Sequence, residues 1–163
     1  MKNLKDALTE IKLILDHLKI IYSVENNIIE FSIPLSNLGT NILCKFVYDN
    51  GIITFCTKHS AEYDANFDEL RSLLAILEER YTLGIKLNEQ SHRIESRHSF
   101  NYLTSQDSKS KLQAYITAYS YVYNWYEASL LGVLKNVLSV QEAAKPIDLD
   151  RTQKVRHALT GIL

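Results

Sequence analysis

Apolar residues recur at helical spacing in three segments of the chain, and these segments predict three helices. The first helix is predicted over residues 3–19. The second begins near Asp68, a residue suited to an N-cap, and ends near Arg80. The third is the longest and is predicted over residues 108–139. A weaker apolar stripe in residues 150–163 predicts a short terminal helix.

Elsewhere the pattern changes to the alternation that is typical of half-buried strands. Six strands are predicted, at residues 20–24 and 28–33, in both arms of a hairpin over 41–58, and at 83–88 and 92–101. The element order is therefore α-β-β-β-β-α-β-β-α plus a short C-terminal helix. A block of strands flanked by helices predicts an α+β fold, in which an antiparallel sheet packs against helices in a two-layer sandwich. We expect residues 1–140 to form one domain and residues 141–163 to form a C-terminal tail.

The predicted hairpin contains both cysteines of the chain. Asn50 and Gly51 favour a two-residue type I′ turn. In the resulting register Cys44 joins a continuous apolar face, whereas Cys56 points to the other face, opposite Lys45. A three-residue loop would instead place the two cysteines directly across from each other. We prefer the first register because it keeps the apolar face unbroken, and we expect two free thiols.

The third helix carries an unusual density of aromatic residues, which the helical angle of 100° per residue divides between two faces. One broad apolar face is expected to belong to the core. The second face lies roughly opposite and combines small residues with two large aromatic ones: Ala114, Ala118, Tyr121, Trp125, Ala128 and Gly132. Small residues allow another backbone to approach, and Tyr and Trp are common interface anchors. We predict that this face packs either against the tail of the chain or against another chain.

An alternative use of the same helix is a small-molecule pocket between the helix and the sheet. Its lining would be Tyr115, Tyr119 and Tyr123, whose hydroxyl groups could converge on a ligand. A pocket of this kind would indicate a sensor or an enzyme, whereas association through the second face would indicate a protein-binding module.

The net charge of −1 argues against nucleic acid as a partner and against electrostatic attachment to a membrane. No apolar run reaches the roughly 18 residues of a membrane-spanning helix. The first residues are polar and helical, unlike a signal peptide, so a cytoplasmic location is expected.

The sequence contains none of the common spacings of catalytic, nucleotide or metal sites, such as GxSxG, GxGxxG, HExxH or CxxC. His92 and His98 share a predicted strand face but are on the order of 20 Å apart at about 3.3 Å per residue. We therefore predict no catalytic residue, no metal and no cofactor, and we favour a protein that is not an enzyme.

The order of elements resembles the fold shared by type III secretion chaperones and YbjN-like proteins. The similarity covers residues 3 to 140 and is carried by these segments: Leu4–Leu18, Ile28–Ile33, Ile42–Tyr48, Ile52–Thr57, Leu70–Leu77, Leu83–Leu87, His92–Phe100 and the long helix. Residues 141–163 and the weak acidity depart from the chaperones. The resemblance implies a small cytosolic homodimer that holds unfolded polypeptide. Our leading hypothesis is a non-catalytic, chaperone-like, protein-binding module that acts as a homodimer.

Overall fold

A computed structural model describes residues 2–35 and 38–160 of the chain, and its elements follow the predicted α+β order. The helices and strands are α1 (Leu4–His17), β1 (Tyr22–Glu25), β2 (Ile28–Pro34), β3 (Asn41–Asp49), β4 (Ile52–His59), α2 (Phe67–Tyr81), β5 (Lys86–Asn88), β6 (Arg93–Asn101), α3 (Ser108–Leu134), α4 (Val140–Ala143) and α5 (Leu149–Thr160).

The six strands form one antiparallel sheet in the order β1-β2-β3-β4-β6-β5. In the β3–β4 hairpin Phe46 pairs with Phe55 and Lys45 pairs with Cys56, which confirms the two-residue turn. Asn50 has a φ of 46° and Gly51 a φ of 84°, the left-handed pair that a type I′ turn requires. Both cysteines are free thiols.

The core lies between one face of the sheet and the helices. Five of its members from the sheet side are Phe31, Phe46, Ile53, Phe55 and Ile85, and all of them are buried. Phe31 and Phe46 stack with ring centroids 5.9 Å apart, and Phe46 and Phe55 lie 4.7 Å apart. Alternation along the strands places most of their apolar side chains under the helices, whereas the charged side chains Glu30, Lys45, Lys58, Glu95 and Arg97 line the opposite face.

Helix α2 begins at Phe67, so the prediction of Asp68 as its N-cap was wrong. The N-cap position belongs to Asn66, which makes no side-chain bond to its own helix. Its side-chain amide instead donates hydrogen bonds to the carbonyl groups of Val133 (3.2 Å) and Leu134 (2.8 Å). The last carbonyl groups of α3 need hydrogen-bond donors from outside the helix. Because Asn66 supplies such donors from a distant part of the sequence, local spacing could not predict its role.

Helix α3 ends at Leu134 rather than near residue 139. Asn136 adopts a left-handed φ of 57°, and the N–H groups of Val137 and Leu138 both donate to the carbonyl of Gly132, at 2.8 and 3.0 Å. This closing turn resembles the left-handed helix ends that satisfy the last carbonyls of a helix. It sends the rest of the chain back along α3.

Three strand boundaries also differ from the prediction. Strand β1 begins at Tyr22, because the N–H of Ile20 still bonds to the carbonyl of Leu15 at the end of α1, at 2.9 Å. Strand β5 covers Lys86–Asn88, because Gly84 takes a left-handed φ of 65° just before it. His92, which was expected in the last strand, has a φ of 51° and precedes β6.

The C-terminal tail contains the predicted short helix, α5, and it packs on α3. Val155 is fully buried there. Arg151 ties the tail together, since its guanidinium donates to the carbonyls of Glu142 at 2.8 Å and Lys145 at 3.0 Å. The apolar stripe was expected to end at Ile162 or Leu163, and both residues lie outside the described part of the chain.

Candidate functional site

The second face of α3 divides into two parts. At its C-terminal end Ala128 and Gly132 are buried by the chain itself, and we call this part the covered end. A Cβ atom added to Gly132 would lie 2.6 Å from Cδ1 of Leu138 and 3.0 Å from Cγ2 of Val155. The tail therefore uses the missing side chain of Gly132 to approach the helix.

The other part of this face consists of Ala114, Ala118, Tyr121 and Trp125, and we call it the bare face. All four residues are exposed to solvent. Tyr121 is 63% exposed and Trp125 is 50% exposed, which is unusual for two large aromatic residues one helical turn apart. Their rings stack on each other, with centroids 6.0 Å apart and an interplanar angle of 20°. The pair offers a rigid apolar surface.

The three tyrosines of the alternative hypothesis lie between α3 and the sheet. The Tyr115 ring stacks on Phe55 at 5.9 Å. The Tyr119 hydroxyl is hydrogen-bonded to Nε2 of His98, and the Tyr123 hydroxyl lies 3.0 Å from Oγ1 of Thr57.

Burial shifts the acidity of two of these tyrosines. It raises the pKa of Tyr119 to about 12, and it also raises the pKa of Tyr123. Their hydroxyl groups therefore stay protonated near neutral pH and are engaged with protein atoms. These contacts fit a packed layer of rings better than a pocket that awaits a ligand.

A buried polar cluster that the sequence analysis missed connects α3 to the end of β4. Nε2 of His59 lies 2.7 Å from Oε1 of Glu127, and both side chains are 0% exposed. The hydroxyl of Thr40 donates to the same carboxylate oxygen. One signal could have revealed the cluster, because Glu127 lies one turn after Tyr123 and so falls on the broad apolar face.

Hydrogen bonds around His59 define its orientation. The N–H of Ala61 donates to Nδ1 at 3.2 Å, which leaves Nε2 to donate to Glu127. The Tyr123 ring stacks on the imidazole at 5.8 Å. The hydroxyl of Tyr63 lies 3.4 Å from Nδ1 of His59. Burial is the main cause that raises the pKa of Tyr63 well above its ordinary value, and the nearby Glu127 raises it further.

The second carboxylate oxygen of Glu127 has no hydrogen-bond partner within the described residues. A buried acceptor without a partner is costly, so the cluster constrains the structure more than it stabilises it. Because both side chains are shielded from solvent, the arrangement serves to position α3 on the sheet.

The face of the sheet that points away from the helices is open. A groove of about 740 Å³ lies on it. The side chains around the groove include Ile21, Leu43, Lys45, Cys56, Lys58, Glu30, Glu95 and Arg97. Charges of both signs alternate across the strands, since Lys45 lies opposite Glu30 and Lys58 opposite Glu95. The groove therefore combines charges of both signs with the exposed apolar side chains of Ile21 and Leu43, whereas the bare face carries no charge.

The two thiols occupy these two sides of the sheet. Cys44 is buried on the helix side, where loss of solvent raises its pKa to about 12. Cys56 lies in the groove and is partly exposed. The register therefore separates an inert thiol from an accessible one.

Within residues 2–35 and 38–160, no three His, Cys, Asp or Glu side chains are grouped so that they could hold a metal ion. In the same part of the chain, no helix has both the length and the apolar character needed to cross a membrane.

Comparison with known proteins leaves the site to be interpreted from its geometry. No protein-family model matches the chain, and no curated protein and no solved structure is significantly similar to it.

Proposed function

We propose that this chain is a non-catalytic protein-binding module that forms a homodimer through the bare face of α3. The observation that carries the proposal is the stacked pair Tyr121 and Trp125, which lies on solvent beside Ala114 and Ala118. Tyrosine and tryptophan are enriched at protein–protein interfaces and often anchor them. The neighbouring alanines leave room for side chains of a partner.

The energy available from this face supports a dimer of modest affinity. The exposed part of each ring is on the order of 100 Å², so four rings in a dimer would contribute roughly 10 kcal/mol at about 25 cal/mol per Å². Association itself costs roughly 4–15 kcal/mol. Because the gain and the cost are of similar size, we expect a weak dimer that exchanges with monomer as the protein is diluted.

The chaperone-like part of the proposal is supported by the element order alone. A dimer would hold an unfolded polypeptide, as the resemblance to type III secretion chaperones implies. The alternative of a tyrosine-lined pocket is less well supported, because the hydroxyls of Tyr119 and Tyr123 already bond to His98 and Thr57.

The test is a single charge on the bare face. Trp125→Asp should convert the dimer to a monomer in size-exclusion chromatography with light scattering, because a desolvated carboxylate would face the partner. Ile21→Asp is the matched control, since Ile21 is 92% exposed but lies by the groove on the far side of the sheet.

A wild-type chain that stays monomeric up to about millimolar concentration would refute the proposal. So would an equal loss of dimer in Trp125→Asp and Ile21→Asp. Circular dichroism distinguishes dissociation from unfolding, because a dissociated variant keeps the helical signal of the wild type.

A further inference from the structure

We infer that two copies meet with their α3 helices antiparallel, around a two-fold axis that passes between Tyr119 and Ser120. The inference rests on the proposed dimer and specifies its geometry. It follows from the order of large and small residues on the bare face.

The residues of the bare face lie at equal distances on either side of the midpoint between Tyr119 and Ser120, but their side chains differ in size. Ala118 and Tyr121 each lie about 2 Å from it along the helix axis, at 1.5 Å rise per residue. Ala114 and Trp125 each lie about 8 Å from it. At both distances an alanine stands on one side and a large aromatic residue on the other.

A two-fold axis perpendicular to the helices brings each position opposite its counterpart in the second copy. Trp125 of one copy then meets Ala114 of the other, and Tyr121 meets Ala118. Every ring faces a methyl group, so the two surfaces interlock. A parallel arrangement would place Trp125 on Trp125 and Ala114 on Ala114, which leaves clashes at one level and gaps at the other.

The spacing of the residues also selects a crossing angle. Ala114 and Ala118 form one row at a separation of four residues, and Tyr121 and Trp125 form a neighbouring row. When such rows of two helices interdigitate, the helices cross at roughly 50°. A crossing helix avoids the tail of the partner, which covers α3 at Gly132.

A second copy is the occupant that explains this pattern. The tail of the chain already packs on the covered end, where Leu138 and Val155 approach Gly132. A foreign partner would need aromatic anchors and small neighbours, but it would not require them to mirror each other about a midpoint. Self-association does require that relation.

Cysteine cross-linking tests the geometry, in a Cys56→Ser background that removes the accessible native thiol. In the antiparallel dimer the two copies of residue 118 are offset by about 4.5 Å along the axis, within reach of a disulfide. The two copies of residue 114 are offset by about 16 Å along the axis, which is too far. Ala118→Cys should therefore form a covalent dimer on mild oxidation, whereas Ala114→Cys should not.

The outcomes separate the geometry from the dimer itself. Light scattering before oxidation shows whether each variant retains the wild-type dimer mass, and a monomeric wild type refutes the proposed function. If the dimers persist but Ala114→Cys cross-links as fully as Ala118→Cys, the helices are parallel and the inference is wrong. If the dimers persist and neither variant cross-links, α3 does not lie at the axis, and the inference is again wrong.

Discussion

The covered end and the bare face of α3 belong to one helical face with similar small residues, yet they have opposite environments. Gly132 lies beneath Leu138 and Val155, whereas Ala118 lies on solvent beside an exposed Trp125. The difference arises at Asn136, whose left-handed turn sends the tail back over the last turns of the helix only. A row of small residues therefore indicates that something approaches closely, and the path of the chain decides what.

The largest loss of stability is expected for a substitution of Glu127, which lies beside the covered end on the side of α3 that faces the sheet. Glu127→Ala leaves the buried donors of His59 and Thr40 without their acceptor, so it should lower the free energy of unfolding by about 1–3 kcal/mol for each donor. Urea denaturation of the monomer measures this loss. Ser120→Ala, which changes a partly exposed residue of the same helix, is the control and should stay within about 0.5 kcal/mol.

A loss below about 1 kcal/mol for Glu127→Ala would contradict the role of the cluster. Glu127→Gln should retain part of the stability, because its amide oxygen can still accept from Nε2 of His59. Comparison of Glu127→Gln with Glu127→Ala separates the effect of removing the charge from the effect of removing the side chain.

The next largest contrast in stability is expected between a leucine substitution at the covered end and one on the bare face. Gly132→Leu would drive a side chain into Leu138 and Val155, so it should lower the free energy of unfolding by about 3 kcal/mol. Ala118→Leu should leave the stability of the monomer nearly unchanged and should weaken the dimer, because it fills the space that we assign to Tyr121 of the partner.

Thermal unfolding and light scattering of both variants test whether the covered end and the bare face differ in this way. If Ala118→Leu destabilised the monomer as strongly as Gly132→Leu, the bare face would be covered by the chain itself. If Gly132→Leu had no effect on stability, the tail would not pack where the structure has it.

A dependence of stability on alkaline pH is also expected, and it reports the buried layer between α3 and the sheet. The pKa of Tyr119 is raised from 10.0 to about 12, and that of Cys44 from 9.0 to about 12. The unfolded chain therefore loses these protons first. Their contribution is fully present below pH 9 and is lost as the pH rises toward 12.

Urea midpoints at pH 8, 10 and 11 test this dependence. The midpoint should fall steadily from pH 8 to pH 11, and Tyr119→Phe should reduce the slope because the phenylalanine has no proton to lose. A midpoint that is constant over this range would show that the two groups titrate alike in the folded and unfolded chains.

Local rules predicted the parts of the fold that local interactions stabilise. The register of the β3–β4 hairpin follows from Asn50 and Gly51 together with the alternation of apolar residues, because a one-residue slip would turn Phe46 and Phe55 outward. The three main helices follow from apolar spacing, since each must bury one stripe.

Boundaries that depend on distant partners were not predicted. Asn66 precedes α2 but bonds to the end of α3, so its neighbours in sequence do not reveal its role. Likewise, the burial of Glu127 depends on His59, which is distant in the sequence. The apolar positions around Glu127 indicated an inward direction, but no local pattern indicates which side chain meets it.

By itself, then, the sequence determined the α+β class, the hairpin register and the existence of a second face on the long helix. These features rest on periodicity and on turn conformations, which act over a few neighbouring residues. Only the tertiary structure decided that the tail covers Gly132 and leaves Tyr121 and Trp125 exposed to solvent. That division depends on where the chain reverses and how far the tail extends, which are properties of packing between distant segments.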